Sequence, residues 1–87
     1  MSKSKVELLY GWFVEPCMDY KRIRLTYIKN NKEQNAIFMN YNKDGGKDYR
    51  LVEDNHYPHN RLREKEQQEI SYILNNNMFS RHIYGQC

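Results

Sequence analysis

Two groups of residues in this chain have types and spacings that bear on chemistry. The first is Asn55-His56-Tyr57-Pro58-His59-Asn60-Arg61, where two histidines three apart stand beside a tyrosine and an arginine. Imidazole titrates near neutral pH and guanidinium stabilises developing negative charge, so the set holds ingredients for metal-independent phosphodiester cleavage or for a metal pair. It is thin for both. A metal centre needs at least a third protein ligand, which only His82, brought close by folding, would add. A polar loop leading into a helix cap accounts for the same residues. No catalytic, metal or cofactor site is assigned, and the chain is read as a non-enzyme.

The second group is Tyr20-Lys21-Arg22-Ile23-Arg24-Leu25-Thr26-Tyr27-Ile28-Lys29-Asn30-Asn31-Lys32, which carries five cations and no acid. Alternation with period two places Ile23, Leu25 and Tyr27 on one side of a strand and Arg22, Arg24 and Thr26 on the other. Lysine and arginine meet phosphates, and aromatic rings stack on unpaired bases. The expected nucleic-acid-binding set is therefore Lys21, Arg22, Arg24, Lys29 and Lys32 with Tyr20 and Tyr41, and Tyr27 and Phe38 as further rings. The chain has no glycine-aromatic strand motif and no GXXG loop. A solvated face whose cations discourage edge-to-edge association is the plainer account of the same pattern.

These residues need a frame. Val6 to Val14 reads as a central strand, with Val6, Leu8, Tyr10, Trp12 and Val14 on one face and Leu9 and Phe13 on the other. Glu15-Pro16 ends it, because proline has no amide donor and restricts its predecessor. The basic segment is the second strand, residues 30–35 a turn, residues 36–42 the third strand, Asp44-Gly45-Gly46 a tight turn and residues 49–52 a short fourth strand. From Asn60 to about residue 75 the chain is dense in helix formers and free of Gly and Pro, with Leu62, Ile70, Ile73 and Leu74 in one stripe. Asn60 is the expected cap and Asn75-Asn76-Asn77 the stop. Residues 78–84 form a fifth strand or a packed tail. The expected fold is α+β, a single small domain over residues 1–87. Its four- or five-stranded, mainly antiparallel sheet is packed by one long C-terminal helix. Leu8, Tyr10, Trp12, Ile37, Ile70, Ile73 and Leu74 form the expected core.

Eighty-seven residues bury only about 60–65% of the surface the unfolded chain exposes. Eight tyrosines, three phenylalanines and one tryptophan compensate for scarce aliphatic residues, thickening the core or furnishing a contact surface. A homodimer that covers surplus apolar surface fits the same composition. Residues 1–50 hold ten Lys/Arg and six Asp/Glu, whereas residues 51–87 hold four and five, so the first half carries +4 and the second -1 of the net +3. Cys17 and Cys87 are too few for a disulfide framework, neither has a base beside it, and a reduced cytoplasm suits them. The apolar run from Val6 is too short and mixed for a membrane span.

In length, in its crowding of Tyr, Asn and Lys, and in segments such as Asn40-Tyr41-Asn42-Lys43-Asp44, the chain resembles the small accessory proteins of tailed phages. That resemblance implies a host cytoplasm and a binding role, as in the RNA-binding inhibitors of host toxin or defence systems, and assigns no residue. The expected function is a binder of RNA or a ribonucleoprotein through the basic, Tyr-bearing sheet. An inhibitor that docks on an acidic patch of a host protein is the alternative, and a small nuclease built on His56, His59 and Arg61 the third.

Overall fold

The computed structural model describes residues 6–14, 21–42, 44–54 and 61–85. It is an α+β arrangement: β1 (Val6–Phe13), β2 (Arg22–Lys29), β3 (Lys32–Asn40), β4 (Tyr49–Glu53), α1 (Glu64–Asn75), a 3-10 turn (Ser80–His82) and β5 (Ile83–Tyr84). The strands form one sheet in the order β4-β3-β2-β1-β5. β1 to β4 are joined antiparallel, and β5 adds to β1 in parallel. The sheet is thus mixed rather than mainly antiparallel, because the chain returns from α1 to the β1 edge running in the same direction as β1. The helix is also short, at 12 residues. At 1.5 Å per residue it spans about 18 Å.

Local sequence explains most boundaries. Asn30 and Asn31 both adopt positive φ, 54° and 63°, as a two-residue hairpin turn between right-twisted strands requires. β3 therefore starts at Lys32, well inside the stretch expected to be a turn. Asn40 organises the next connection: its side-chain oxygen accepts the amides of Asn42 and Asp48, and its nitrogen donates to the Gly46 carbonyl. Helix α1 begins at Glu64, after a cap in which the Arg63 amide donates to Glu66 Oε1 at 2.7 Å. Asn60, the expected cap, lies outside the described residues. At the other end Asn77 takes φ 58°, and the amides of Asn77 and Met78 reach back to the Leu74 and Ile73 carbonyls. That is the Schellman arrangement with asparagine in the left-handed position.

The core lies on one side of the sheet. Ile23, Leu25, Tyr27, Ala36, Phe38 and Tyr49 face Leu62, Ile70, Leu74 and Phe79, with Leu8, Phe13, Ile73 and Ile83 partly buried against them. Trp12 and Tyr10, expected in this core, are outside it. The cause is a bulge: the β1–β2 register shifts between Leu8 and Tyr10, so Leu9 is an extra residue. One extra residue inverts the alternation of everything after it. Leu8 pairs with Tyr27 on the helix side, but Gly11 and Phe13 now join it there, and Tyr10 and Trp12 turn to the opposite face. Gly11 has to be small, since a β-carbon there would stand 2.9 Å from Ile23 Cγ2. Ile37, also expected in the core, pairs with Arg24 on the far face and is half-buried.

Candidate nucleic-acid interface

The face turned away from α1 is covered by no element among the described residues, and the strand registers order it into rows. Arg22, Met39 and Arg50 are cross-strand partners in the first row, and Tyr84, Trp12, Arg24, Ile37 and Glu53 in the second. Tyr10, Thr26 and Asn35 make the third, and Glu7, Ile28 and Glu33 the fourth. Successive rows are about 7 Å apart, since two residues of a strand rise by that much. On β1 and β2 the face thus runs from Arg22 through the Trp12–Tyr84 pair and Arg24 and a polar third row to Glu7 at the far end, while the β4 edge of the second row carries Glu53.

Trp12 is 52% exposed, and Tyr84 and Tyr10 are also open to solvent. The Trp12 and Tyr84 rings stand 5.4 Å apart at 40°, a tilted pair held by the two-residue ladder between β5 and β1. Gly85 follows with φ 90°, and a β-carbon there would stand 3.6 Å from the Trp12 ring. Arg22 and Arg24 have no acidic partner within ion-pair distance among the described residues. Arg50 differs: its Nε and Nη2 donate to the Asp48 carboxylate at 3.2 and 2.9 Å, and its guanidinium lies 5.4 Å over the Tyr41 ring. The Asp48 hydrogen bond and charge hold the Arg50 pKa above its ordinary value. With its donor fork engaged, Arg50 is a weaker phosphate ligand than the two arginines of β2.

The expected basic stripe is divided by the fold. Lys29 is only 2% exposed and points to the helix side, where its Nζ donates to Glu66 Oε1 at 2.7 Å and to the Arg61 carbonyl at 2.6 Å. It closes a polar clasp in which the Tyr27 hydroxyl and the Leu62 amide both donate to the Asp54 carboxylate. Lys29 is a structural cation and is unavailable to a phosphate. Tyr27 and Phe38 are wholly buried and serve the core, not a stacking platform. Lys32 is exposed, but it pairs with Lys29 in register and so belongs to the helix side, at the far end of β2 from Arg22. Lys21 is exposed beside Arg22, and Tyr41 is exposed under Arg50. Tyr20 lies outside the described residues.

Sequence reasoning missed Trp12, Tyr10 and Tyr84 as surface rings. A signal existed for the first two: an isolated glycine inside a strand marks a bulge or a close backbone approach, and Gly11 stands there. Tyr84 joins the face through a tertiary pairing that no local pattern announces. His56, His59 and the cysteines lie outside the described residues. His82 is exposed and rests against Phe79, with ring centres 5.1 Å apart. Among the described residues, no group of three or more His, Cys, Asp or Glu could hold a metal ion, and no helix is long and apolar enough to cross a membrane. Comparison with family models, with curated proteins and with solved structures finds no match to this chain.

Proposed function

We propose that this protein is a non-catalytic binder of single-stranded RNA, or of an RNA segment in a ribonucleoprotein, through the uncovered sheet face. The observation that carries the reading is the juxtaposition of exposed Trp12 and Tyr84 with Arg24, flanked by Arg22, on a sheet whose other face is closed by α1. Burying an apolar ring would add stability, so a half-exposed tryptophan beside two guanidiniums that have no acidic partner among the described residues is a surface suited to a partner with both π-faces and negative charge. Unpaired bases on a phosphodiester chain have both. A duplex stacks its own bases away and leaves such rings idle, which favours single strands.

The test is titration of a labelled single-stranded RNA octamer, with the matching duplex as control, followed through the fluorescence of Trp12, the chain's one tryptophan. The expected result is saturable quenching by the single strand, weaker binding of the duplex and a logarithmic salt slope that is negative. Absence of quenching and of any salt-dependent binding, with capture of an acidic protein by the same face, would replace RNA by the protein-partner alternative.

A further inference from the structure

The third row of the open face holds a polar pair that neither the core nor phosphate binding requires. Thr26 is 5% exposed, and its hydroxyl donates to Asn35 Oδ1 at 2.9 Å, while Asn35 itself is exposed on β3. The bond engages the amide oxygen, so what exposed Asn35 has left to offer a ligand on the sheet is its two N–H donors. Tyr10 stands in the same row on β1, two strand spacings or roughly 10 Å away. A base stacked on Tyr10 would extend an edge across Thr26 to Asn35.

The charge rows set which part of a nucleotide arrives there. Phosphates are drawn to Arg22 and Arg24 on β2 and repelled from Glu7 and Glu33 in the fourth row and from Glu53 on the β4 edge, so the sugar-phosphate chain keeps to the β2 arginines and its bases project to the third row. Resting on the RNA-binding reading above, we infer that Asn35 is the specificity-determining residue of this face, a group whose oxygen is engaged by Thr26 and whose N–H donors meet position 4 of a pyrimidine, favouring the keto oxygen of uracil over the amino group of cytosine. Uracil offers an acceptor at position 4, where cytosine offers an amino donor that would oppose the Asn35 N–H groups. Two opposed donors leave both unsatisfied, which makes the discrimination sharper than the gain of one bond.

The pyrimidine pair is the right probe because the two bases match closely in size and differ at that edge. Octamers of uridine and of cytidine are titrated against the full chain, with folding checked by circular dichroism. The wild type is expected to prefer oligo(U) by about three- to tenfold, the range of one net hydrogen bond. Thr26→Val keeps the β-branched shape but frees the amide to rotate, and should bring the ratio close to one. Asn35→Asp supplies only acceptors and should invert the preference toward oligo(C), at lower affinity for both because a negative charge is added. If both variants bind with the wild-type ratio and remain sensitive to removal of Arg22 and Arg24, Asn35 does not read the base, while RNA binding stands. If the folded wild type binds neither octamer at low salt, the RNA reading and this inference fall together.

Discussion

The two faces of the sheet use the same residue types to opposite ends. On the helix side, Lys29 is neutralised by Glu66, and the Tyr27 hydroxyl is satisfied by Asp54. On the open side of the same strand, Arg22 and Arg24 have no acidic partner within ion-pair distance among the described residues, and on β1 Trp12 is half in water. A buried cation must be paired, since leaving it alone in a poorly hydrated interior costs several kcal/mol. A surface cation is under no such compulsion. The difference teaches that charge in β2 is not one property of the strand: the inner cation holds β2, the segment after β4 and the start of α1 together, while the outer ones are left uncommitted.

The strongest way to break this comparison is Lys29→Met. Removing the ammonium leaves the Glu66 carboxylate, only 14% exposed, facing an apolar side chain, with the Arg63 amide still bound to it. Loss of about 3–5 kcal/mol is expected, measured by urea unfolding. The fraction that stays folded should bind RNA with unchanged salt slope. A loss below about 1 kcal/mol, the range of a surface pair, would mean that the clasp is solvated and that the two faces are not so different.

Trp12→Ala tests the other side. It should leave stability within about 1 kcal/mol, because the ring is half-exposed, and lower RNA affinity by about 1–3 kcal/mol, or roughly five- to 150-fold, as loss of one stacking platform does. Fluorescence anisotropy of a labelled octamer reads it. The opposite outcome, a large loss of stability with intact binding, would return Trp12 to the core. Removing Arg22 and Arg24 together should flatten the logarithmic salt dependence by about 1.4, which is roughly 0.7 for each phosphate contact on a single strand. Equal slopes before and after would take both arginines off the site.

The elements of this fold were legible where a local rule decides them, and the faces were not. The presence of a helix, the Asn stop after it and the β2 alternation follow from propensity, left-handed tolerance and period two; the structure keeps the stop and the alternation and shortens the helix to Glu64–Asn75. The placement of Trp12 failed because one extra residue, Leu9, shifts the phase of β1, a slip that only the nearby Gly11 signals, and a period-two argument carries it to the end of the strand. Lys29 failed differently. Alternation put it on the side of Ile23 and Leu25, and grouping it with Arg22 and Arg24 followed charge instead of face. Its partner Glu66 is 37 residues away, so the ion pair is a product of packing α1 on the sheet. Tyr84 and Asn35 depended on strand pairing, which composition does not supply.

The smallest effect is expected at Lys32, and it sharpens the comparison most finely. Lys32 and Arg24 carry the same charge on neighbouring strands, and both are exposed. They differ in place: Lys32 is opposite Lys29, five residues along β2 from the position of Arg24 and on the helix side. At about 3.4 Å per residue that is roughly 17 Å, twice the screening length of about 8 Å at physiological salt. A phosphate bound at Arg24 is thus almost blind to Lys32. Lys32→Ala should change affinity for a single-stranded octamer by less than about twofold and leave the salt slope unaltered, whereas Arg24→Ala should lower both. The two variants carry the same net charge, so a titration at two salt concentrations separates position from charge. Equal losses would show that RNA is attracted to the chain's diffuse positive field and not to the rows of the open face.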